Sequence, residues 1–354
     1  MAGGAGTRFW PMSRAEKPKQ FLDILGTGKT LLRQTFERFL PEFLVENIYV
    51  VTNESYAGLV KEQLPELSEN QILLEPSRKN TAPCIAYASY KIHQQNPDAV
   101  MVVASSDHLI LKEAVFINVV LKAVEASTHK NALFTIGIQP SRPDTGYGYI
   151  QFNEDEKYQS DAEIFKVKTF TEKPELEMAK FFLQNGDFLW NSGIFVWSTQ
   201  AIIKAFEEFQ PEIASLFSEG AERYGTAAEK VLVEQAYNVC KNISVDYAIM
   251  EKAKNVYVLG AEFGWSDLGT WGSLYEHSNK SLQGNVVSGK NVILYDTNNC
   301  VVKMPKDKLV VLEGLDDYIV VDSDNILLVC RKSHEQQIRQ IVSDVKINKG
   351  EKFV

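Results

Sequence analysis

The stretch that decides the fold is Ala99-Val100-Met101-Val102-Val103-Ala104, which is followed directly by Ser105-Ser106-Asp107-His108. Its continuous apolar character is typical of a strand buried on both faces of a parallel sheet. The polar residues then fall at the carboxyl end of the strand, where open α/β sheets bind their ligands. A carboxylate there is well placed to hold Mg²⁺, although a solvated aspartate in a turn is the common alternative.

Similar apolar runs recur on both sides of this stretch, at residues 47–51, 71–74 and 132–138. Helical stretches separate them, at residues 30–40, 80–95 and 113–128. Such alternation of strands and helices predicts an α/β fold with a Rossmann-like, open, mixed sheet.

The pattern changes after residue 280, where short β-rich runs follow one another closely with turn residues between them. Runs at 292–295, 309–312 and 318–321 are examples, and a last helix is predicted at 333–345. We therefore expect one domain over residues 1–280 and a small β domain, similar to a short β-helix, over residues 281–354. Because no low-complexity linker separates the two parts, we expect the second to pack on the first.

The composition fits a globular chain, since 45% of the 354 residues are hydrophobic and 23% are charged. A net charge of −9 repels nucleic-acid backbones and anionic membranes, so neither is expected as a partner. The four cysteines form no CxxC pair, which favours a reducing compartment over a zinc site or a disulfide framework. No signal-like opening and no long apolar run occurs, so we expect a cytoplasmic protein.

The chain opens with a glycine-rich run, Ala2-Gly3-Gly4-Ala5-Gly6-Thr7-Arg8. Clustered glycines bring backbone N–H groups close to phosphate oxygens, and an arginine adds a permanent cation. Lys17-Pro18-Lys19-Gln20 supplies two more cations, which favours a phosphate-binding loop over a flexible tail. Gly26-Thr27-Gly28-Lys29-Thr30 is interpreted as a turn leading into a helix, because Asp23 stands where a Walker A loop needs its first glycine.

The glycine run and the Lys-Pro-Lys-Gln segment together resemble the sugar-phosphate nucleotidyltransferases, particularly the mannose-1-phosphate guanylyltransferases. The resemblance implies that the opening loop binds the triphosphate and that Arg8 and Lys19 stabilise its charge; the loop residues are Gly3, Gly4, Gly6 and Thr7. In that family the loop follows a buried apolar strand, whereas only Met1-Ala2 precede it here. We therefore expect the natural protein to begin several apolar residues upstream, unless another segment fills the central slot of the sheet.

A second block, Glu75-Pro76-Ser77-Arg78-Lys79-Asn80-Thr81-Ala82-Pro83, follows a predicted strand and opens a helix. From the local pattern alone, Asn80 and Thr81 are interpreted as helix caps. Similarity to the guanylyltransferases implies that Glu75, Arg78, Asn80 and Thr81 surround the guanine and the ribose. This block is the main support in the sequence for GTP over UTP or ATP.

The resemblance also implies a metal site. It pairs Asp107 with Asp267, which lies in Gly264-Trp265-Ser266-Asp267-Leu268-Gly269-Thr270, as the two carboxylates that hold Mg²⁺. One or two carboxylates completed by substrate oxygens is the usual protein contribution to such a site. His108 is interpreted as a structural neighbour.

Three further blocks resemble the sugar-phosphate side of these enzymes, and they occur in the order that the family shows. Each alone has a simpler interpretation, as a turn, a surface charge pair or the entry to a strand. The residues implied to bind the sugar phosphate are Gly148, Glu172, Lys173, Asn191, Ser192, Gly193 and Asp267. Asp246 is expected to serve as a helix cap, as a wall of the cleft, or as both.

The expected reaction is in-line attack by an oxygen of mannose 1-phosphate on the α-phosphorus of GTP. Because the nucleophile is already an anion, no general base is needed, and catalysis rests on positioning and on charge neutralisation by Mg²⁺, Arg8, Lys19 and the loop amides. Alternatives are the same reaction with another pair, such as glucose 1-phosphate and UTP, and a non-catalytic sugar-nucleotide sensor. With five histidines and a short β tail, an added cupin-like isomerase domain is not expected, and a homodimer is left open.

Overall fold

The structure, a computed structural model, describes residues 1–4, 6–128, 131–158 and 163–354. Its α-helices are α1 (Leu31–Phe39), α2 (Ala57–Gln63), α3 (Thr81–Gln95), α4 (Glu113–Ser127), α5 (Leu176–Asn185), α6 (Thr199–Phe209), α7 (Pro211–Ser218), α8 (Glu229–Val239), α9 (Trp271–His277) and α10 (Ile338–Lys349). Within the described ranges, no helix combines the length and the apolar character that a membrane span requires.

The first strands are β1 (Val50–Asn53), β2 (Ile72–Glu75), β3 (Val100–Val103), β4 (Leu109–Ile110), β5 (Leu133–Ile138), β6 (Tyr149–Lys157), β7 (Ile164–Thr171), β8 (Phe188–Ser198), β9 (Val256–Ala261) and β10 (Trp265–Ser266). The later strands are β11 (Val286–Ser288), β12 (Val292–Tyr295), β13 (Val301–Lys303), β14 (Val310–Glu313), β15 (Tyr318–Ser323) and β16 (Ile326–Arg331).

Six strands form the central sheet in the order β3-β8-β5-β9-β7-β6. Strands β5 and β9 run parallel, whereas β8 is antiparallel to both β3 and β5, so the prediction of a mixed α/β sheet is confirmed. The prediction for residues 99–104 was wrong in one respect, because β3 pairs with an antiparallel neighbour and its Val100 and Val102 are only partly buried. An apolar run reports burial but not the direction of the neighbouring strand.

Strands β1 and β2 form a separate parallel pair. β1 begins later than predicted because Val45–Asn47 form a 3₁₀ turn. The predicted turn at residues 26–30 does lead into α1, where the Thr30 hydroxyl accepts the N–H of Arg33 at 3.2 Å and so caps the helix.

A gap separates β1 from β3, and Met1 and Ala2 lie at one end of it. The Met1 ammonium donates to the Ala104 carbonyl at 2.8 Å, and the Ala2 N–H donates to the Val51 carbonyl at 2.7 Å. Among the described residues, no strand pairs with both β1 and β3, and Met1 and Ala2 make the hydrogen bonds between them.

The C-terminal strands form stacked parallel coils. β13 pairs in parallel with β11 and with β15, β12 pairs in parallel with β14, and β16 returns antiparallel along β15. The buried Asn285 ties neighbouring coils together, since its amide donates to the Thr297 carbonyl at 2.7 Å and accepts the N–H of Cys300 at 2.9 Å. The prediction of a β-helix-like region is confirmed.

One hydrophobic cluster joins the start of the chain to this β-helix. Its members include Phe9 and Trp10 from the opening segment, Trp271 from α9, and Ile319 from β15. The expected packing of the second part on the first is therefore confirmed. The final helix begins at Ile338, later than predicted, because the residues before it form a 3₁₀ helix.

Candidate active site

The glycine-rich opening forms a tight loop held against Lys19 and Gln20. Gly6 has a φ of 56°, a left-handed conformation that favours glycine, and a Cβ there would lie 2.9 Å from the Lys19 backbone nitrogen. The Gln20 amide donates to the carbonyls of Ala2 at 2.9 Å and Gly4 at 2.8 Å. The described residues of the loop are therefore anchored from inside the fold.

A cavity of about 320 Å³ lies beside this loop. It brings together three segments that the sequence analysis had treated separately: the loop itself, the Glu75 block and the end of the Ala99–Ala104 stretch. The predicted site residues that line it are Gly3, Gly4, Glu75, Arg78, Asn80, Thr81 and Asp107. The described structure therefore assembles most of the predicted nucleotide residues around one cavity.

Glu75 is the last residue of β2 and lies at the inner wall of this cavity. One carboxylate oxygen accepts a hydrogen bond from the Tyr237 hydroxyl at 2.8 Å, and the other would lie 3.0 Å from a Cβ placed on Gly3. Burial raises the pKa of Glu75 to about 7, although the Tyr237 hydrogen bond and the Met1 ammonium oppose the shift. Near neutral pH a protonated carboxyl can therefore donate as well as accept at this wall.

The rest of the Glu75 block is fixed by local contacts. Arg78 donates to the Tyr56 hydroxyl and stacks over that ring, 5.5 Å from its centroid. Asn80 caps α3, as the local pattern predicted, by accepting the N–H of Thr81 at 2.9 Å. The Thr81 hydroxyl accepts the N–H of Val245 at 2.9 Å, so it joins α3 to the segment that contains Asp246.

Lys19 connects the two carboxylate residues of the predicted metal site. Its ammonium lies 3.1 Å from the Asp107 carboxylate and donates to the backbone carbonyls of Asp267 at 2.6 Å and Leu268 at 3.0 Å. The residue is 7% exposed, so these contacts are nearly shielded from water. A single cation thus holds the end of β3 and the segment after β10 at one point, although 160 residues separate the two aspartates in the chain.

Electrostatics at this point keep Asp107 ionised. Burial acts to raise the pKa of Asp107, but Lys19 and His108 outweigh it, and the pKa lies below its usual value. His108 accepts the indole N–H of Trp265 at 3.2 Å, and burial lowers the pKa of its imidazole, although the neighbouring Asp107 opposes that shift. His108 therefore acts as the structural neighbour that was predicted.

The donor atoms at Asp107 and Asp267 fit a magnesium-type cation. Asp107 uses one oxygen for Lys19, and Asp267 uses one for the Tyr147 hydroxyl at 3.2 Å and the Gly269 N–H at 2.9 Å. The second Asp267 oxygen has no hydrogen bond within the described part of the chain. That part contains no cluster of three or more metal-binding side chains, so substrate oxygens would have to complete the coordination.

Arg8 flanks the same point. A Cβ placed on Gly269 would lie 2.7 Å from the Asp267 carboxylate and 3.2 Å from the Arg8 guanidinium. The guanidinium and the carboxylate therefore border one small space, which the missing side chain of Gly269 leaves open.

A second group of predicted residues gathers around Asn191. Its backbone N–H donates to the Gly148 carbonyl at 2.8 Å, and its side-chain amide donates to Asp246 at 2.7 Å. A Cβ on Gly148 would lie 2.6 Å from the Glu172 carboxylate, so a side chain there would displace that carboxylate. Burial and the nearby Glu172 raise the pKa of Asp246. Asp246 lies at the wall of this group. The helix that begins at Asp246 has no side-chain cap, so the prediction of Asp246 as a helix cap was wrong.

The conformation of β8 explains how Asn191 reaches this group. The pairing of β8 with β5 shifts register opposite Thr135 and Gly137, and Gly193 adopts a φ of 68°. Such a bulge turns side chains out of the regular alternation. The segment lies inside a strand, whereas the sequence had indicated the entry to one.

Of two further predicted sugar-phosphate residues, Ser192 is directed away from this group and Lys173 lies at its exposed edge. The Ser192 hydroxyl is buried and donates to the Ile136 carbonyl at 2.6 Å, so it satisfies the bulge and is turned into the sheet. Lys173 pairs with Glu172 at 2.7 Å, with 65% of its side chain exposed. Neither side chain contacts Asn191 or Asp246 in the described hydrogen bonds.

Three residues of the site were missed by sequence reasoning. Gln20 holds the loop carbonyls, Tyr237 holds Glu75, and Tyr147 links Asp267 to the Gly148 segment. Gln20 and Tyr147 stand beside residues that were singled out, so their positions offered a signal. Tyr237 lies on α8, far along the chain, and nothing in its local pattern marks it.

Comparison with known proteins shows which family the chain belongs to. A family model described as nucleotidyl transferase matches residues 1–284, and one described as the β-helix domain of mannose-phosphate isomerase/GMP-like proteins matches residues 290–345. A putative mannose-1-phosphate guanylyltransferase of Vibrio cholerae is 36% identical over 98% of this chain and 73% of its own length. A mannose-1-phosphate guanylyltransferase of Escherichia coli K12 is 36% identical over 98% and 72%.

A solved structure shares the whole architecture. The crystal structure of a Thermus thermophilus protein, described as a mannose-1-phosphate geranyltransferase, superposes with a TM-score of 0.87 at 26% identity. The alignment covers 98% of each chain, so it includes both the central sheet and the β-helix. The resemblance drawn from the sequence and the fold that it implied are both confirmed.

Proposed function

Because the chain belongs to the family of mannose-1-phosphate guanylyltransferases, we propose that it transfers GMP from GTP to mannose 1-phosphate, giving GDP-mannose and pyrophosphate. The observation that carries this proposal is the bridge made by Lys19. Lys19 contacts Asp107, which lines the nucleotide cavity, and the backbone carbonyl of Asp267. The Asp267 carboxylate in turn accepts the hydroxyl of Tyr147, which precedes Gly148 of the Asn191 group.

The cavity beside the glycine loop is the proposed nucleotide site. The loop of Gly3, Gly4, Gly6 and Thr7 presents backbone to the triphosphate, with Arg8 and Lys19 as cations. Glu75, Arg78, Asn80 and Thr81 take the guanine and the ribose. A Glu75 carboxyl that titrates near pH 7 supports this assignment, since guanine offers both a carbonyl acceptor and N–H donors.

The Asn191 group is the proposed sugar-phosphate site. Gly148, Glu172, Asn191 and Gly193 offer acceptors and donors suited to hydroxyl groups, and Lys173 offers a cation to the 1-phosphate. Ser192 contributes through the backbone bulge, because its hydroxyl is engaged within the sheet. The Tyr147 hydroxyl donates to the Asp267 carboxylate at 3.2 Å, which supports a sugar-phosphate site next to Asp267 and Lys19.

The proposed chemistry is a displacement at phosphorus. An oxygen of the mannose 1-phosphate dianion forms a bond to the α-phosphorus of GTP, the bond from that phosphorus to the bridging oxygen breaks, and pyrophosphate leaves with the electron pair. The Lys19 ammonium and the Arg8 guanidinium offset the charge that develops on the equatorial and leaving oxygens. No side chain has to remove a proton, which agrees with a site built from cations, carboxylates and loop amides.

Asp107 and Asp267 are the residues that would hold Mg²⁺. The cation would supply charge neutralisation and orientation of the phosphate oxygens when bound. The role of the protein residues is to hold the two carboxylates near each other, through the contacts of Lys19 with Asp107 and with the Asp267 carbonyl. The lowered pKa of Asp107, which Lys19 and His108 maintain against burial, supports that role.

We assign the catalytic domain to residues 1–280 and the β-helix domain to residues 281–354. Contacts between the two domains support a role of the β-helix in positioning the catalytic domain. The Trp10 indole N–H donates to the Phe353 carbonyl at 2.7 Å, and the Glu335 carboxylate accepts the N–H of Gly272 at 2.6 Å.

The test is pyrophosphate release measured over a matrix of GTP, ATP and UTP with mannose 1-phosphate and glucose 1-phosphate, with and without Mg²⁺. Release should be fastest with GTP and mannose 1-phosphate together, and each single omission should abolish it. Faster release with UTP or ATP would refute the guanylyl assignment. Binding of GDP-mannose without any turnover would favour a sensor.

A further inference from the structure

The buried tyrosine of α8 contacts the wall of the nucleotide cavity from outside the cavity. Tyr237 is 0% exposed, and its hydroxyl donates to one carboxylate oxygen of Glu75 at 2.8 Å. Of the described residues that line the cavity, Glu75 is one and Tyr237 is not. An effect of Tyr237 on a ligand in the cavity therefore passes through Glu75.

The hydrogen bond between these two side chains has a fixed direction. Burial, together with the charge of Glu75, holds the pKa of Tyr237 well above its usual value, so the hydroxyl keeps its proton and donates. An ionised carboxylate has about four acceptor positions on its two oxygens, and Tyr237 occupies one of them. The second oxygen lies next to the glycine-rich loop, 3.0 Å from a Cβ placed on Gly3. Both oxygens therefore keep an acceptor position for a ligand.

This hydrogen bond sets the plane of the Glu75 carboxylate. Rotation about the last bond of a glutamate has broad preferences, so the stem alone does not fix the direction of the two oxygens. A donor held against one oxygen does fix it. The donor is itself anchored, because α8 begins at Glu229, which accepts the Tyr87 hydroxyl at 2.5 Å and the Lys91 ammonium at 2.7 Å. Both partners lie on α3, the helix that begins beside the cavity at Thr81.

A carboxylate held in one plane can pair with two adjacent donors. Guanine carries such a pair on one edge, its N1–H and its 2-amino group. Hypoxanthine keeps the N1–H but lacks the 2-amino group, adenine has an acceptor at N1, and uracil has a single N–H between two carbonyl groups. A site that is built to pair with an N–H group rejects analogues without it, because the buried group of the site is then left unpaired.

Resting on the proposed function, we propose that Tyr237 is a positioning residue for guanine. It holds the Glu75 carboxylate so that one oxygen accepts the N1–H and the other accepts the 2-amino N–H of GTP. The second of these bonds distinguishes GTP from inosine 5′-triphosphate, whose base is hypoxanthine. Because the contact lies at the base and not at the reacting phosphorus, its loss should act on KM and leave kcat nearly unchanged.

The test compares GTP with inosine 5′-triphosphate in the pyrophosphate-release assay, with mannose 1-phosphate and Mg²⁺, for the unaltered chain and for Tyr237→Phe. The assay is run at about pH 8.5, where a carboxyl with a pKa of about 7 is ionised. The unaltered chain should favour GTP in kcat/KM by about tenfold or more, as expected for one hydrogen bond to a charged group. In Tyr237→Phe this preference should fall about threefold or more, with a raised KM for GTP and a kcat within about twofold of the unaltered value.

Tyr224→Phe is the matched control. Tyr224 is also buried, and its hydroxyl donates to the Phe217 carbonyl at 2.8 Å instead of to a residue of the cavity. The ring of Tyr237 packs against that same Phe217, with 6.0 Å between the ring centroids. The control therefore removes a buried hydroxyl from the same part of the core, and it should leave the preference for GTP unchanged even where it lowers the melting temperature.

A double variant keeps the test decisive if Tyr237→Phe alone does not fold. Glu75→Gln replaces the carboxylate by an amide, which has one acceptor end and one donor end, so the preference for GTP should be lost. The same change removes the buried charge that Tyr237→Phe would leave without its donor. Adding Tyr237→Phe to Glu75→Gln should then change the preference no further, since Tyr237 acts through the carboxylate.

Four results would each overturn the assignment of Tyr237. The unaltered chain could use the two nucleotides equally well, Tyr237→Phe could fold and keep the full preference, Tyr224→Phe could lose the preference to the same extent, or adding Tyr237→Phe to Glu75→Gln could alter it. Each of these results leaves the proposed function standing as long as the unaltered chain uses GTP faster than UTP and ATP. Faster release with UTP or ATP would refute the proposed function itself.

Discussion

Lys19→Met tests whether one cation holds the two halves of the site together. Methionine keeps the unbranched apolar stem and removes only the ammonium, which contacts Asp107 at 3.1 Å and the Asp267 carbonyl at 2.6 Å. Removal of one partner of a buried ion pair costs about 3–5 kcal/mol, because the other charge is left uncompensated. The Asp107 side chain is 24% exposed, so water offsets part of this cost and we expect about 3 kcal/mol.

The pH dependence of this loss has a definite sign. In the unaltered chain the pKa of Asp107 lies below its usual value, so the pair contributes stability at neutral pH and that contribution is lost as the pH falls through the lowered pKa. In Lys19→Met, burial acts on Asp107 without its main cation and raises the pKa. The variant can then relieve the buried charge by binding a proton. Its deficit in stability should therefore be full near neutral pH and shrink towards about pH 5.

Urea denaturation followed by tryptophan fluorescence measures the free energy of unfolding for both chains at the two pH values. Lys17→Met is the matched control, since Lys17 is exposed and should cost less than about 0.5 kcal/mol. Adding Asp107→Asn to Lys19→Met should recover roughly 2 kcal/mol, because the stranded charge is gone. If the double variant instead loses the sum of the two single losses, the pair is not coupled and the bridge is refuted.

Three further predictions concern separate parts of the site. Asp107→Ala and Asp267→Ala should each lower turnover by orders of magnitude with an unchanged circular dichroism spectrum, and near-normal turnover at saturating Mg²⁺ would remove that residue from the site. The Glu75 carboxyl has a pKa raised to about 7, so its contribution to stability is lost as the pH rises through that value. Glu75→Gln should therefore be more stable than the unaltered chain by on the order of 3 kcal/mol above about pH 8, and equally stable near pH 4. Equal melting temperatures of the two chains at both pH values would contradict this. Deletion of residues 351–354 and the variant Trp10→Phe each remove the hydrogen bond from the Trp10 indole to the Phe353 carbonyl. Both changes should raise the KM for GTP by similar factors. An unchanged KM in both would show that this hydrogen bond does not position the glycine-rich loop.

Local pattern predicted those elements whose burial and caps are set within a few residues. Asn80 was predicted as a cap from its neighbours, and the Thr30 cap likewise follows a turn that the sequence marks. The strand Leu133–Ile138 was predicted within one residue because all six of its residues are buried. Local hydrogen bonding and apolar character are properties of the segment itself, so they are visible before the chain folds.

What could not be predicted depends on partners distant in the chain. The sequence placed Lys19, Asp107 and Asp267 in one site through resemblance alone, and nothing in their spacing indicates that the lysine contacts both aspartate segments. The inward direction of the Ser192 hydroxyl follows from a bulge that exists only when β8 pairs with β5. The antiparallel neighbour of β3 is likewise a property of the assembled sheet.

The β-helix bears on the chemistry through the segment that carries Lys19. Lys303 donates to the Ile24 carbonyl at 3.1 Å, and Arg14 donates to the Ser323 carbonyl at 3.3 Å, so contacts on both sides of Lys19 come from the C-terminal part. The lysine itself makes its bonds to the other end of the catalytic part. A shift of the β-helix would therefore move the loop and the cation together relative to Asp107. Since catalysis by positioned charges falls steeply with small displacements, we expect the β-helix to influence the proposed reaction without contributing a residue to the described site.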